Sequence, residues 1–125
     1  AESSRFAMAN ESAVEVHLGE DCMLSSNITF HPSDGHTIFD LATGKIINHP
    51  RPIVVGDHVW VGANVTLVKG SKVASNTIIA TQSLVSRRFD EENTAIGGNP
   101  AQVIKRNIGW DRSHISEYVE SVPMA

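Results

Sequence analysis

The sequence predicts a parallel β-helix, a short strand-and-corner unit wound into a triangular prism. Three observations predict it. From Val55 an aliphatic residue recurs at every sixth position: Val55, Val61, Leu67, Val73, Ile79 and Val85. Four positions after each of the first five comes a small or β-branched residue: Val59, Val65, Ser71, Thr77 and Ser83. Aromatic residues make up only 6% of the chain although hydrophobic residues make up 41%. A period of six is neither the 3.6 of a helix nor the 2 of a half-buried strand, and it fits one face of a prism per repeat. A narrow prism core is filled by Val, Ile and Leu, which accounts for the low aromatic content. The competing fold is an antiparallel sandwich, which needs alternation and irregular turn spacing instead.

The elements follow in order along one expected domain, residues 1–125. Leu18, Leu24 and Phe30 are six apart, with Cys22 and Ile28 in the companion slot, so a first coil is expected here. Another step of six reaches His36, and the nineteen residues from there to Val55 break the register. Residues 37–52, with Gly44, Asn48, Pro50 and Pro52, read as a loop inserted into the repeat. The repeat resumes near Ile53. Small residues behind the aliphatic ones (Gly56, Gly62, Ala74, Ala80) let the chain turn and approach the next coil. The pattern ends at Arg87-Arg88-Phe89-Asp90, giving about three coils. Gly97-Gly98-Asn99-Pro100 is a turn, and 101–108 a short strand or loop. Residues 111–122 suit a short helix capped by Asp111 or Ser113, with Ile115, Val119 and Val122 on one face, inside a tail over 109–125. A prism this short exposes much of its area and has weak ends, so oligomerisation is expected to bury a face.

Composition excludes several function classes. Charged residues are 19% of the 125, which is globular rather than disordered, and the net charge is −4. A nucleic-acid or polybasic membrane surface needs clustered Lys and Arg, which are absent. No apolar run approaches the roughly 18 residues of a membrane helix. The single cysteine, Cys22, excludes an internal disulfide and fits a reducing compartment, so a cytoplasmic location is expected. Ala1-Glu2-Ser3-Ser4 shows no basic stretch leading into an apolar one.

The stretch Ile53-Val-Val-Gly-Asp-His-Val-Trp-Val-Gly62, then Lys69-Gly70, Gln82-Ser83-Leu84-Val85 and Gly98-Asn99-Pro100-Ala101, resembles the hexapeptide-repeat acyltransferases. Upstream, Ser33-Asp34-Gly35-His36-Thr37-Ile38, Thr43-Gly44 and Ile47-Asn48 resemble the subgroup that O-acetylates bacterial surface polysaccharides and sugars. The resemblance covers residues 16 to 110. It implies a left-handed parallel β-helix, acetyl-coenzyme A as acyl donor, a sugar or polysaccharide hydroxyl as acceptor, and a homotrimer with sites between subunits. The chain departs from the family at Ala80-Thr81-Gln82-Ser83, where Gly-Ala-Gly-Ser is frequent.

Acyl transfer to a hydroxyl needs a base, because a sugar hydroxyl does not ionise alone at neutral pH. His36 sits at the register break, where a side chain can leave the prism and face a cleft; the resemblance implies it as the base. Asp34, two residues earlier, shares a side with it on an extended segment and is expected to orient the imidazole. Alternatively, Asp34 and Gly35 simply form a turn. Trp60 precedes an inward aliphatic and points outward. The resemblance places it beside acceptor and thioester, and interface packing is the other role open to it.

His31 and His36 have His-x₄-His spacing, so a zinc enzyme like the γ-carbonic anhydrases is a rival reading; no third His follows in that family's layout, and no metal is expected. His31, Asn48 and Trp60 are expected on the acceptor side, with His49 in the loop; His17, His58 and His114 default to surface or interface. By position, the pantetheine groove would use Ala63, Thr81 and Ser86, beside Trp60, and the phosphates Arg87, Lys105 and Gln102 or Arg88. Trp110 either stacks on the adenine or caps the coil. Cys22 reads as buried and inert. A non-catalytic β-helix scaffold is the second rival.

Overall fold

In the computed structural model, residues 4–7 and 14–120 are described. The chain winds through three faces repeatedly. The first coil holds β2 (Glu15–Leu18), β3 (Met23–Leu24) and β4 (Thr29–His31). The second holds β5 (Ile53–Val55), β6 (Trp60–Val61) and β7 (Thr66–Val68), and the third β8 (Lys72–Val73), β9 (Thr77–Ile79) and β10 (Leu84–Val85). Then come β11 (Arg88–Phe89), β12 (Thr94–Gly98) and β13 (Ala101–Arg106). Within each face, strands of successive coils pair in parallel. The ends differ. β1 (Ser4–Ala7) lies antiparallel on β2, and β13 lies antiparallel on β12, so each covers an edge that parallel stacking leaves open.

The six-residue period builds three inward ladders. The first face stacks Leu18, Val55, Val73 and Phe89. The second stacks Leu24, Val61, Ile79 and Ile96. The third stacks Phe30, Leu67 and Val85. Val61, Leu67, Val85 and Ile96 are fully buried. Each such side chain contributes roughly 1.5–3 kcal/mol of burial free energy, and among the described residues no other part offers a comparable apolar core. The two phenylalanines of these ladders lie in the first and last coils, where the prism is open at one end.

The chain does not stop after three coils. β11 and β12 add two faces of a fourth, with Phe89 over Val73 and Ile96 over Ile79. A short corner before Phe89 and a longer one before Ile96 place these residues 16 and 17 positions on, instead of the 18 that separate Val55 from Val73, which hides them from a strict six-residue count.

The companion slot is buried as well: Val59, Val65, Ser71, Thr77 and Ser83 are at most 2% exposed. Its hydroxyls are satisfied. Ser71 donates to the Val68 and Val85 carbonyls, and Ser83 donates to the Ala80 carbonyl and accepts from the Gly98 amide. Immediately before this slot the backbone is left-handed at Asp21, Asn27, His58, Asn64, Gly70, Asn76 and Gln82. Their amides stitch coil to coil: His58 donates to the Glu20 carbonyl, Asn64 to Ser26, Asn76 to Asp57 and Gln82 to Ala63, at 2.8–2.9 Å. Behind the aliphatic position the coils nearly touch. A Cβ at Gly62 would lie 2.7 Å from the Thr81 nitrogen, and one at Gly56 would lie 2.6 Å from the Ser75 nitrogen.

Between β4 and β5 the chain leaves the prism. Asp40 accepts the Ala42 and Thr43 amides, Gly44 turns at φ +71°, and Phe39 and Ile46 form an antiparallel bridge. Ile38, Phe39, Leu41, Ile46 and Ile47 are all exposed on this segment.

The helix expected over 111–122 is corrected. Its described part, to residue 120, contains one 3₁₀ turn, Ile115–Glu117. Ile115 and Val119 are 97% and 83% exposed, so no apolar face docks, and without docking so short a helix is marginal in water. Asp111 still accepts the Ser113 amide, as a cap would, at 3.0 Å. Val122 lies outside the described residues. No helix among the described residues is long and apolar enough to cross a membrane.

Candidate active site

The segment after β4 holds the candidate base, His36. A pocket of about 180 Å³ is lined by Ser33, His36, Thr37, Asn48, His49 and Pro50, with Gly35 and Ile46. Gly35 turns at φ +81°, which lets the chain double back so that His36 meets Asn48 and His49 across the pocket. His31 is exposed at the end of β4, where the segment begins.

Asp34 does not reach the His36 imidazole. Both carboxylate oxygens accept from the Lys69 ammonium, at 3.0 and 2.8 Å, and Oδ2 also accepts from the Asn48 amide at 3.0 Å. Lys69 and then Asn48 hold the Asp34 pKa below its usual value. Asn48 donates as well to the His36 carbonyl at 2.8 Å and accepts the Ile38 amide at 2.8 Å. The Asp34 carboxylate is thus linked to the His36 carbonyl through Asn48 and makes no hydrogen bond to the His36 ring. Lys69 stands 35 positions from Asp34, and no local pattern announces that pair.

The remaining residues fall into separate groups. Trp60 is outward on the second face, 37% exposed, between Met23 and Ile78. The His36 segment leaves from the third face, and Trp60 does not line its pocket. Ala63 and Thr81 lie one coil apart at the corner between the second and third faces, joined by the Gln82 amide on the Ala63 carbonyl. Ser86 and Arg87 form the next corner. The Arg87 guanidinium lies 4.0 Å from the Phe89 ring centroid and donates to Gln102 at 3.3 Å. Lys105 is exposed on β13 opposite Ala95. Arg88 shares Asp90 with Lys72, at 3.4 and 3.1 Å.

A network at the first corner was invisible in the sequence. The Trp110 ring stacks on the His58 ring, its indole N–H donates to the His58 carbonyl, and Arg112 binds Asp21 at 2.9 Å. Trp110 therefore caps a corner of the coil, and His58 is its platform and not a plain surface residue. A cavity of about 630 Å³ adjoins it, lined by Trp110, Asp111, Ile115 and Tyr118 among others, apart from the His36 pocket.

The Cys22 thiol is half-buried, donates to the Gly56 carbonyl at 3.2 Å, and has its pKa raised by burial, which suits an inert residue. His17 pairs with Glu15 at 2.6 Å, and the His114 amide bonds Glu117. Among the described residues no three His, Cys, Asp or Glu side chains converge as a metal site would require.

No family model matches the chain. Its similarity to characterised proteins is nevertheless extensive. It is 40% identical over 104 residues to the polysialic acid O-acetyltransferase of Escherichia coli O1:K1 / APEC, covering 83% of this chain and 34% of that protein. It is 37% identical over 98 residues to the polysialic acid O-acetyltransferase of Neisseria meningitidis, covering 78% and 46%. The crystal structure of the polySia-specific acetyltransferase NeuO superposes with a TM-score of 0.78 at 41% identity, over 82% of this chain and 47% of that one. A galactoside acetyltransferase in complex with coenzyme A superposes at 0.64 with 25% identity, over 85% and 53%. The chain thus spans between a third and a half of the length of these curated relatives. By sequence and by fold it is similar to the polysialic acid O-acetyltransferases, and it shares the fold of a hexapeptide-repeat-containing acetyltransferase from Vibrio cholerae, at a TM-score of 0.56.

Proposed function

We propose that the protein is an acetyl-coenzyme A-dependent O-acetyltransferase whose acceptor is a hydroxyl of a sugar or polysaccharide, with His36 as general base. The observation that carries this reading is His36 itself, on a polar pocket beside the prism, with Asn48 and His49 across from it. The named activities of the relatives support the donor and the acceptor class.

His36 takes the hydroxyl proton as the acceptor oxygen attacks the thioester carbonyl. The carbon–sulfur bond then breaks, and the thiolate leaves with the proton held on the imidazolium. Backbone amides at the Ala63–Thr81 corner serve the pantetheine arm, and Arg87 the phosphate end. Because Trp60 and His36 belong to different faces, the reading includes a homotrimer in which one subunit's Trp60 borders its neighbour's His36. The exposed apolar residues of the 37–52 segment are then covered by that neighbour. The coil is left-handed in this reading, the chain is one domain, and its lone reduced thiol suits the cytoplasm.

The test is His36→Ala, assayed for acetyl transfer to a panel of sialosides and galactosides. A general base contributes typically about 10²–10⁴-fold, so kcat should fall by that much with the thermal transition unchanged. Near-normal turnover of the variant overturns the assignment. Sedimentation of the parent as a monomer overturns the shared site.

A further inference from the structure

We infer that Lys69 is a positioning residue for the His36 segment, acting through Asp34 and Asn48. This rests on the reading of His36 as the base. Lys69 comes from the corner after β7, one coil beyond the segment it holds. Its ammonium meets both oxygens of Asp34, and the pair is only partly exposed, at 21% for Lys69 and 33% for Asp34. The carboxylate, fixed in this way, accepts from the Asn48 amide. The same amide nitrogen bonds the His36 carbonyl, while the amide oxygen takes the Ile38 N–H. Three side chains from three places in the sequence thus fasten the backbone on both sides of Thr37.

The charge balance matters as much as the geometry. Asp34 places a carboxylate two residues from the proposed base. Lys69 supplies the compensating cation. Removing it should both loosen the segment and leave Asp34 free to act on His36. A merely structural lysine would do neither selectively.

The experiment compares the parent with Lys69→Met, Lys69→Arg, Asp34→Asn and His36→Ala, each as the full chain. Misplacing a catalytic group by about 1 Å can cost on the order of 10²-fold, so Lys69→Met should lower kcat about 10- to 100-fold with KM for acetyl-coenzyme A within about twofold. Lys69→Arg, which keeps the cation, should recover most of the loss, and Lys69→Met with Asp34→Asn should be no worse than Lys69→Met alone. Independently of turnover, amide exchange at Ile38 should speed up in Lys69→Met and return in Lys69→Arg. If His36→Ala is inactive but Lys69→Met keeps its kcat, the inference fails while the base assignment stands. If His36→Ala stays active, the base assignment fails, and Ile38 exchange alone decides whether Lys69 holds the segment; unchanged exchange overturns it.

Discussion

The His58 imidazole lies flat against the Trp110 indole, with ring centroids 3.9 Å apart and planes within 9°. Its Nδ1 is 2.7 Å from an Asp21 carboxylate oxygen and its Nε2 is 3.1 Å from the Trp110 carbonyl. Both neighbours are acceptors. A neutral imidazole has one N–H, so only the imidazolium satisfies both bonds.

A pH dependence follows from that arrangement. Desolvation works against the charged ring, but the Trp110 carbonyl and Asp21 outweigh it, despite Arg112 nearby, and raise the His58 pKa above 6.5. The His58 bond lowers the Asp21 pKa below 3.8, with Arg112 adding to it, and Asp111, lowered chiefly by the bonds it accepts from Ser113, adds a weaker attraction for the charged ring. A raised imidazole pKa stabilises the folded chain fully below about 6.5 and is lost as pH rises through the folded value. A lowered carboxylate pKa stabilises above about 3.8 and is lost as pH falls through its folded value. Melting temperature should therefore decline from pH 6.5 upward as this corner loosens, and Asp21→Asn should flatten the decline. A parent and variant with parallel pH profiles of Tm contradict this.

The corners carry a second test, in their left-handed residues. Asn64 has φ +60°, and its amide donates to the Ser26 carbonyl. A branched side chain there costs roughly 1–2 kcal/mol, whereas glycine adopts the conformation freely and loses about 0.5–1 kcal/mol of chain entropy at most. Asn64→Val should lower the urea midpoint clearly and Asn64→Gly only slightly. Equal effects of the two would mean that backbone conformation does not set the corner.

Those corners also define what the sequence could disclose. The inward ladders were legible because one side chain per face must be aliphatic in a core this narrow, and Val55 to Val85 obey that without exception. The left-handed series His58, Asn64, Gly70, Asn76 and Gln82 has the same period and was available, but it is written in four residue types and so escapes a search for one. His36 was legible as the residue where the register breaks. Its support was not: the Lys69–Asp34 pair depends on two coils stacking, and the His58–Trp110 stack joins residues 52 positions apart. The tail misled because Ile115 and Val119 have helical spacing, yet nothing in the described chain receives them.

Close coil contact yields a third prediction. A Cβ at Gly62 would sit 2.7 Å from the Thr81 nitrogen and 2.8 Å from the Ile79 oxygen, both backbone atoms held by neighbouring strands. Gly62→Ala must push two coils apart, a type of overpacking that costs about 1–3 kcal/mol. Gly35→Ala meets no atom within 4 Å, and its cost is only that of φ +81°. The first should lower stability and weaken acetyl-coenzyme A binding together, since Ala63 and Thr81 flank the contact. Denaturation midpoints and KM for the donor report both effects, and an unperturbed Gly62→Ala protein would show that the coils can separate there without loss.

Arg87 separates donor binding from folding. Its guanidinium covers the buried Phe89 ring at 4.0 Å and touches Gln102, so removing it exposes part of the last coil as well as removing a cation from the proposed phosphate end. A charge-assisted hydrogen bond contributes about 1.5–3 kcal/mol, so Arg87→Ala should raise KM for acetyl-coenzyme A about tenfold or more while kcat holds. Arg87→Lys keeps the charge but loses the planar stack, and it should recover only part of the binding. Acetyl-pantetheine carries the same thioester without the nucleotide phosphates. Its KM should be the same in all three proteins, because the Ala63–Thr81 corner proposed to hold the arm is untouched. If acetyl-pantetheine weakens in parallel with acetyl-coenzyme A, Arg87 acts through the packing of Phe89, and the phosphate assignment is wrong.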